Sequence, residues 1–173
     1  WLEKSAMVIC DVHTRDQKAL LEFAPRTILK KQIERAARKG FKVMGATELE
    51  LFLFKDSYEE AAKKQFVNLD PAGQYIEDYH ILQGTKEEDV IGAIRHHLDR
   101  SGVPVENSKG EWGPGQQEIN LCFSDLLEMA DRHVIYKQAA KEIASQKGKS
   151  VTFMAKWNSA LAGSSMHVHL SLW

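Results

Sequence analysis

The chain has 173 residues, 43% hydrophobic and 27% charged, a balance that suits one globular domain or a large part of one. Its 23 basic and 24 acidic residues leave a net charge of −1 and form no basic stripe, which argues against nucleic acid as a partner. No apolar run approaches the roughly 18 residues of a membrane-spanning helix, and Trp1-Leu2-Glu3-Lys4 does not read as a secretory signal, so no membrane partner is expected.

Residues 6–12 (AMVICDV) read as a short buried strand ending in an acid. Cys10 and Cys122 each sit in an apolar run and read as reduced core thiols, which suits a cytoplasmic protein. Pro25 opens a helix that Gly40 closes, with Ile28, Ile33, Ala36 and Ala37 on its apolar side. Residues 41–54 are extended and 57–66 form a short polar helix. Residues 68–83, with Asp70-Pro71 and Gly73, make a loop over a site. Thr85-Lys86-Glu87-Glu88 has the spacing of a capping box and opens a helix that runs to Gly102. Residues 108–115 approach a strand at 116–123. Ser124 or Asp125 then caps a long helix that stops at Gly148, and 151–155 and 166–172 are the last strands. Strands and helices without regular βαβ alternation favour an α+β fold with a largely antiparallel sheet. Because the pattern ends inside a strand and no Met begins it, the chain is expected to be part of a longer one.

Three segments place polar groups where a core strand should be apolar. In Glu48-Leu49-Glu50-Leu51-Phe52-Leu53, alternation puts Glu48 and Glu50 on one face and the leucines on the other. Burying two like charges without a partner costs several kcal/mol, about the magnitude that a divalent cation removes. In Glu111-Trp112-Gly113-Pro114-Gly115-Gln116-Gln117-Glu118, a tight turn can fold Glu111 back toward Glu118. In Met166-His167-Val168-His169-Leu170-Ser171-Leu172, the two histidines and Ser171 share a face, and the apolar residues take the core face. Oxygen-rich ligands with a single imidazole suit Mg²⁺ or Mn²⁺ better than zinc or copper, and suit a site handling phosphates. With no Walker A loop and no GxGxxG, nucleotide binding would be centred on metal.

In this order the segments resemble the glutamine synthetase family. Its pattern has an E-x-E strand, an acid before a GPGQxE strand, a long helix, T-F-M-x-K, and G-S-x-M-H-x-H-x-S-L. They stand here as Glu48-Leu49-Glu50, residues 111–118, residues 130–148, Thr152-Phe153-Met154-Ala155-Lys156, and residues 163–172. The resemblance implies an α+β catalytic domain with a largely antiparallel curved sheet flanked by helices. Residues 1–173 would form one partial catalytic domain, without the family's N-terminal β-grasp domain and C-terminal half. It implies that Glu50, Glu111 and Glu118 hold one Mg²⁺ or Mn²⁺, and that Glu48 and His167 hold a second with a Glu beyond residue 173. Among these, Glu48, Glu50, Glu118 and His167 would carry catalysis. Glu106, Leu121, Cys122, Phe123, His169, Leu170 and Ser171 would contact ATP, and Ala162 and Gly163 would approach glutamate.

The implied reaction forms glutamine from glutamate, ATP and ammonia through a γ-glutamyl phosphate, in a homo-oligomeric ring of the full-length protein. The fragment alone is expected to be inactive. Ala162 stands where the family has Asn, Asn107-Ser108-Lys109-Gly110 replaces a His-rich segment, and residues 157–162 lack the usual Pro-containing loop. These departures leave the metal residues in place and point to an alternative branch that uses an amine other than ammonia, such as a polyamine. A non-catalytic homologue is a further alternative, disfavoured because all five expected metal ligands are present.

Overall fold

A computed structural model describes residues 1–173. Its elements, in chain order, are α1 (Pro25–Ala37), β1 (Val43–Phe54), α2 (Tyr58–Lys63), α3 (Ile81–Arg100), β2 (Val105–Gly110), β3 (Gln116–Leu121), β4 (Ser124–Asp125), α4 (Leu126–Gln146), β5 (Ser150–Thr152) and β6 (Met166–Leu172). The six strands form one sheet, and every pairing in it is antiparallel. β1 is its spine. Glu48 faces Asn120 of β3 on one side and His167 of β6 on the other, while β4 and β5 pair with opposite ends of β1.

The alternation of β1 decides what each face does. Leu49, Leu51 and Leu53 enter a core that Val90, Ile91, Ile94 and Leu98 of α3 close with Met129, Tyr136, Ala140 and Ile143 of α4. Burying side chains of this kind is worth about 1.5–3 kcal/mol each. The acids occupy the opposite face. Phe52 and Phe54, also on that face, are covered by Trp157, whose ring meets theirs edge-on at 5.5 and 4.8 Å. No helix is long and apolar enough to cross a membrane.

Several expectations are corrected. Residues 6–12 form no strand: Val8 is 77% exposed, and the ordered contact nearby is a bridge between His13 and Leu20. Cys10 is exposed and Cys122 half-buried, so neither is a core thiol. Asp11 is used instead in ion pairs with Arg26 and Lys30. The apolar side of α1 is only partly covered, with Ile33 and Ala36 half-buried and Ala37 exposed. Ile28 is exposed, and α1 is fastened to α4 by a two-pronged bond from Arg26 to Asp131, at 3.0 and 2.9 Å.

α3 begins at Ile81, a turn before Thr85. The His80 ring accepts the Gln83 N–H at its start, and the Thr85 hydroxyl donates back to the Ile81 carbonyl, so Thr85 is inside the helix rather than its cap. Part of the segment read as an approach is β2, an edge strand too polar to show alternation. Met166, Val168, Leu170 and Leu172 take the helix-side face of β6, yet all are more than half exposed, because no helix reaches over them.

Candidate metal centre

Glu50 and Glu118 are direct cross-strand partners, so their side chains stand together on one face. The turn brings in the third acid. The Glu111 N–H donates to the Gln116 carbonyl at 2.8 Å, and the Gln116 N–H donates to the Gly113 carbonyl at 2.9 Å. Gly115 has φ +74°, and a Cβ there would meet the Leu53 carbonyl at 2.7 Å, so the turn needs glycine at that position. One carboxylate oxygen from each of Glu50, Glu111 and Glu118 then lies within 4.8 Å of the others.

Side chains not singled out in the sequence hold this arrangement. Gln116 accepts the Gly113 N–H at 2.9 Å and donates to Glu50 at 2.8 Å and to the Gly163 carbonyl at 2.9 Å. Ser165 donates to Glu50 through its N–H at 3.1 Å and its hydroxyl at 2.6 Å. Lys109 donates to Glu111 at 2.7 Å and to Asp78 at 3.1 Å. Burial pulls the Lys109 ammonium down, but its bonds to Glu111 and Asp78 outweigh that and leave it above its usual range. It therefore stays charged.

Glu50 and Glu118 are buried. Burial pushes the Glu118 carboxyl up to about 7. A 2.9 Å bond from Asn120 opposes the rise, and the charges of Glu48 and Glu111 add to it. With these oxygens no more than 4.8 Å apart, each pair of like charges repels by at least roughly 3.5 kcal/mol for an effective dielectric of about 20. One ammonium cannot balance three carboxylates. In addition, the Oδ1 of Asn120, two residues from Glu118, is buried without a partner. An all-oxygen cluster with excess negative charge fits a hard divalent cation such as Mg²⁺ or Mn²⁺.

Glu48 is bonded at 2.9 Å to the Nε2 of His169, whereas His167, its register partner, makes no such bond. That bond, before the charge of His167, holds the Glu48 carboxyl below its ordinary value. His167, His169, Leu170 and Ser171 are all exposed on β6, and Ser171 accepts from the Trp173 indole at 2.9 Å. Glu106 lies at the irregularity where β2 shifts register and points to solvent. Leu121 packs in the core and offers only its backbone, Cys122 is half-buried and Phe123 exposed. Ala162 and Gly163 are half-buried, and a Cβ at Gly163 would meet the Ala155 carbonyl at 2.7 Å.

A second acidic group escaped the sequence reading. Glu77 and Glu87 are both buried, and the Gln117 amide donates to each, at 2.6 and 2.9 Å. Burial, then the neighbouring Glu77 charge, pushes the Glu87 carboxyl up to about 8, and burial raises Glu77 as well. The available signal was the pair Gln116-Gln117 directly before Glu118, two amides on a strand that is otherwise buried.

Residues 22–173 match the family model for the glutamine synthetase catalytic domain, and the chain belongs to that family. It is 44% identical over 172 residues to a γ-glutamylethanolamide synthetase of Streptomyces coelicolor, covering 99% of this chain and 37% of the relative. It is 37% identical, with the same coverage, to a glutamate–isopropylamine ligase of a Pseudomonas species. The solved structure of GmaS without ligand superposes with a TM-score of 0.81 at 31% identity, covering 94% of this chain and 37% of that one. The chain thus spans little more than a third of the length of the relatives it matches. The family and the antiparallel α+β fold agree with the sequence reading.

Proposed function

We propose that the protein is an ATP-dependent ligase that activates the side-chain carboxyl of glutamate and joins it to an amine. The observation that carries this reading is the convergence of Glu50, Glu111 and Glu118 within 4.8 Å on one strand face. Glu50, Glu111 and Glu118 would hold one Mg²⁺ or Mn²⁺, and Glu48 with His167 would contribute to a second. Bound metal offsets the charge of the transferring phosphate. The chain's own residues prepare the site. Ser165 and Gln116 fix the Glu50 carboxylate, Lys109 holds Glu111, and Glu118 gives up its proton as the pH rises through about 7.

Gln116 also ties Glu50 to the Gly163 carbonyl, linking the acids to the loop at Ala162 and Gly163 proposed to meet glutamate. Glu106, the backbone of Leu121, Cys122 and Phe123, and His169, Leu170 and Ser171 are proposed for ATP. The other parts of the site would come from elsewhere in a longer, ring-forming protein, and these 173 residues alone would be inactive.

For the acceptor we favour an amine other than ammonia. Ala162 in place of the family's Asn supports this, as do relatives named for ethanolamine and isopropylamine products. The test is ADP release by the full-length protein with glutamate and, in turn, ammonia, ethanolamine, isopropylamine and a polyamine. Turnover with an amine and little with ammonia is expected. Full turnover with ammonia would restore glutamine synthesis as the activity. No ADP with any acceptor would overturn the ligase reading in favour of a non-catalytic homologue.

A further inference from the structure

The 68–80 loop crosses the sheet beside the acid cluster, and it touches Glu111 at both ends of that residue. The N–H groups of Glu77 and Asp78 donate to the Glu111 carbonyl at 3.2 and 3.0 Å. The Asp78 carboxylate holds Lys109, which holds the Glu111 carboxylate. The loop is itself pinned by one side chain. Glu77, 2% exposed, accepts the Gly115 N–H on Oε1 at 2.7 Å and the Gln117 amide on Oε2 at 2.6 Å.

Two further glycines leave room for it. A Cβ at Gly73 would come within 1.7 Å of the Glu77 carboxyl, and one at Gly110 within 2.6 Å of the Glu77 Cβ. A carboxyl at this depth carries a desolvation cost that an apolar residue would avoid. What it gains is two acceptors, one for the turn that carries Glu111 and one for the strand that carries Glu118.

We infer that Glu77 is a positioning residue, a clamp that seats the 68–80 loop on the Gly-Pro-Gly turn and thereby sets Glu111 among the metal acids. It touches no proposed ligand side chain and acts through the backbone of Glu111 and through the Asp78–Lys109 link. Glu87 is the natural control. It is as deeply buried and shares the same Gln117 amide, but it sits on α3 and meets the loop only at the Glu77 carboxyl, bonding neither the Gly115 N–H nor Glu111.

This inference rests on the metal reading above, and the experiment separates the two. Mn²⁺ binding to the full-length protein is titrated by electron paramagnetic resonance in Glu77→Ala, Glu77→Gln, Glu87→Ala and Glu118→Ala. Glu118→Ala should abolish the tight site. Glu77→Ala should weaken it by about 10- to 100-fold, the range for residues that orient ligands. Glu77→Gln, which keeps an acceptor for Gly115, should recover most of the affinity. Glu87→Ala should lower the melting temperature but leave Mn²⁺ affinity as it was. Equal losses in Glu77→Ala and Glu87→Ala, or unchanged affinity in Glu77→Ala beside a loss in Glu118→Ala, would overturn the clamp. Unchanged affinity in Glu118→Ala would instead overturn the metal reading itself. If Glu77→Ala does not fold, Gly73→Ala presses on the same carboxyl and on the Gly115 N–H that it holds. It should weaken Mn²⁺ similarly, and unchanged affinity there would also overturn the clamp.

Discussion

β1 has two unlike halves. Its last six residues, Leu49 to Phe54, are all buried, whereas of its first six only Gly45 is. The buried half lies against β3 and β5 and beneath α3 and α4. The open half lies against β6, whose seven residues are all exposed. Glu50, with Glu118 opposite it on β3, belongs to the buried half, and Glu48, bonded to His169 of β6, to the open half. The same alternation of acid and leucine therefore yields a packed cluster in one place and a surface hydrogen bond in the other. Alternation orients side chains, and it is packing by a further layer that makes an orientation into a preformed site.

The largest expected effect tests the packed half directly. Glu50→Ala should abolish ADP release and weaken Mn²⁺ by more than about 100-fold, beyond the 10–100-fold typical of outer residues. An unchanged Mn²⁺ titration would break the assignment. Next, paired leucines should separate the halves in urea unfolding of the 173-residue chain. Leu51→Ala should cost about 2–5 kcal/mol as a core truncation. Leu170→Ala should stay within about 0.5 kcal/mol as a surface change. Similar costs would show that β6 is covered after all.

A third prediction concerns pH. Glu87 has its folded pKa raised from 4.5 to about 8, so between those values the folded chain binds more protons than the unfolded one. Stability should therefore fall as the pH rises from about 5 to 8, and Glu87→Gln should flatten that slope in thermal melts. The smallest effect is expected in the open half. His169→Ala should change stability by less than about 1 kcal/mol, as for other exposed pairs. It should also raise the Glu48 carboxyl pKa, read by NMR titration, because the His169 bond is the main influence lowering it.

How much was legible follows the same division. The faces of β1 were legible because a period of two is a local property of the chain, and Leu49, Leu51 and Leu53 do enter the core. The fold-back of Glu111 was legible because Gly-Pro-Gly permits few other paths. The exposure of Met166 and Val168 was not, because a strand's pattern says which way a side chain points and nothing about what lies opposite. Residues 6–12 misled for a related reason: an apolar run without partners on either side has no ladder to join. Glu77 and Glu87 were illegible because acids in a loop and on a helix ordinarily face water. What buries them is a meeting of Gly73, Gly110 and Gln117 from three separate segments.

The central place of β1 also bears on how the chain folds. Its partners arrive from β3, β4, β5 and β6, all later in sequence, and none can be reached by a hairpin from β1. Closing such large loops precedes any reward from pairing, so contacts of this kind slow folding. The α3–β2–β3 segment, by contrast, joins elements close in sequence and offers a nearer starting point. Until β1 docks there, its run of leucines and phenylalanines is the stretch most prone to pair with another chain. The strand that organises the finished molecule is thus also its greatest hazard on the way to being made.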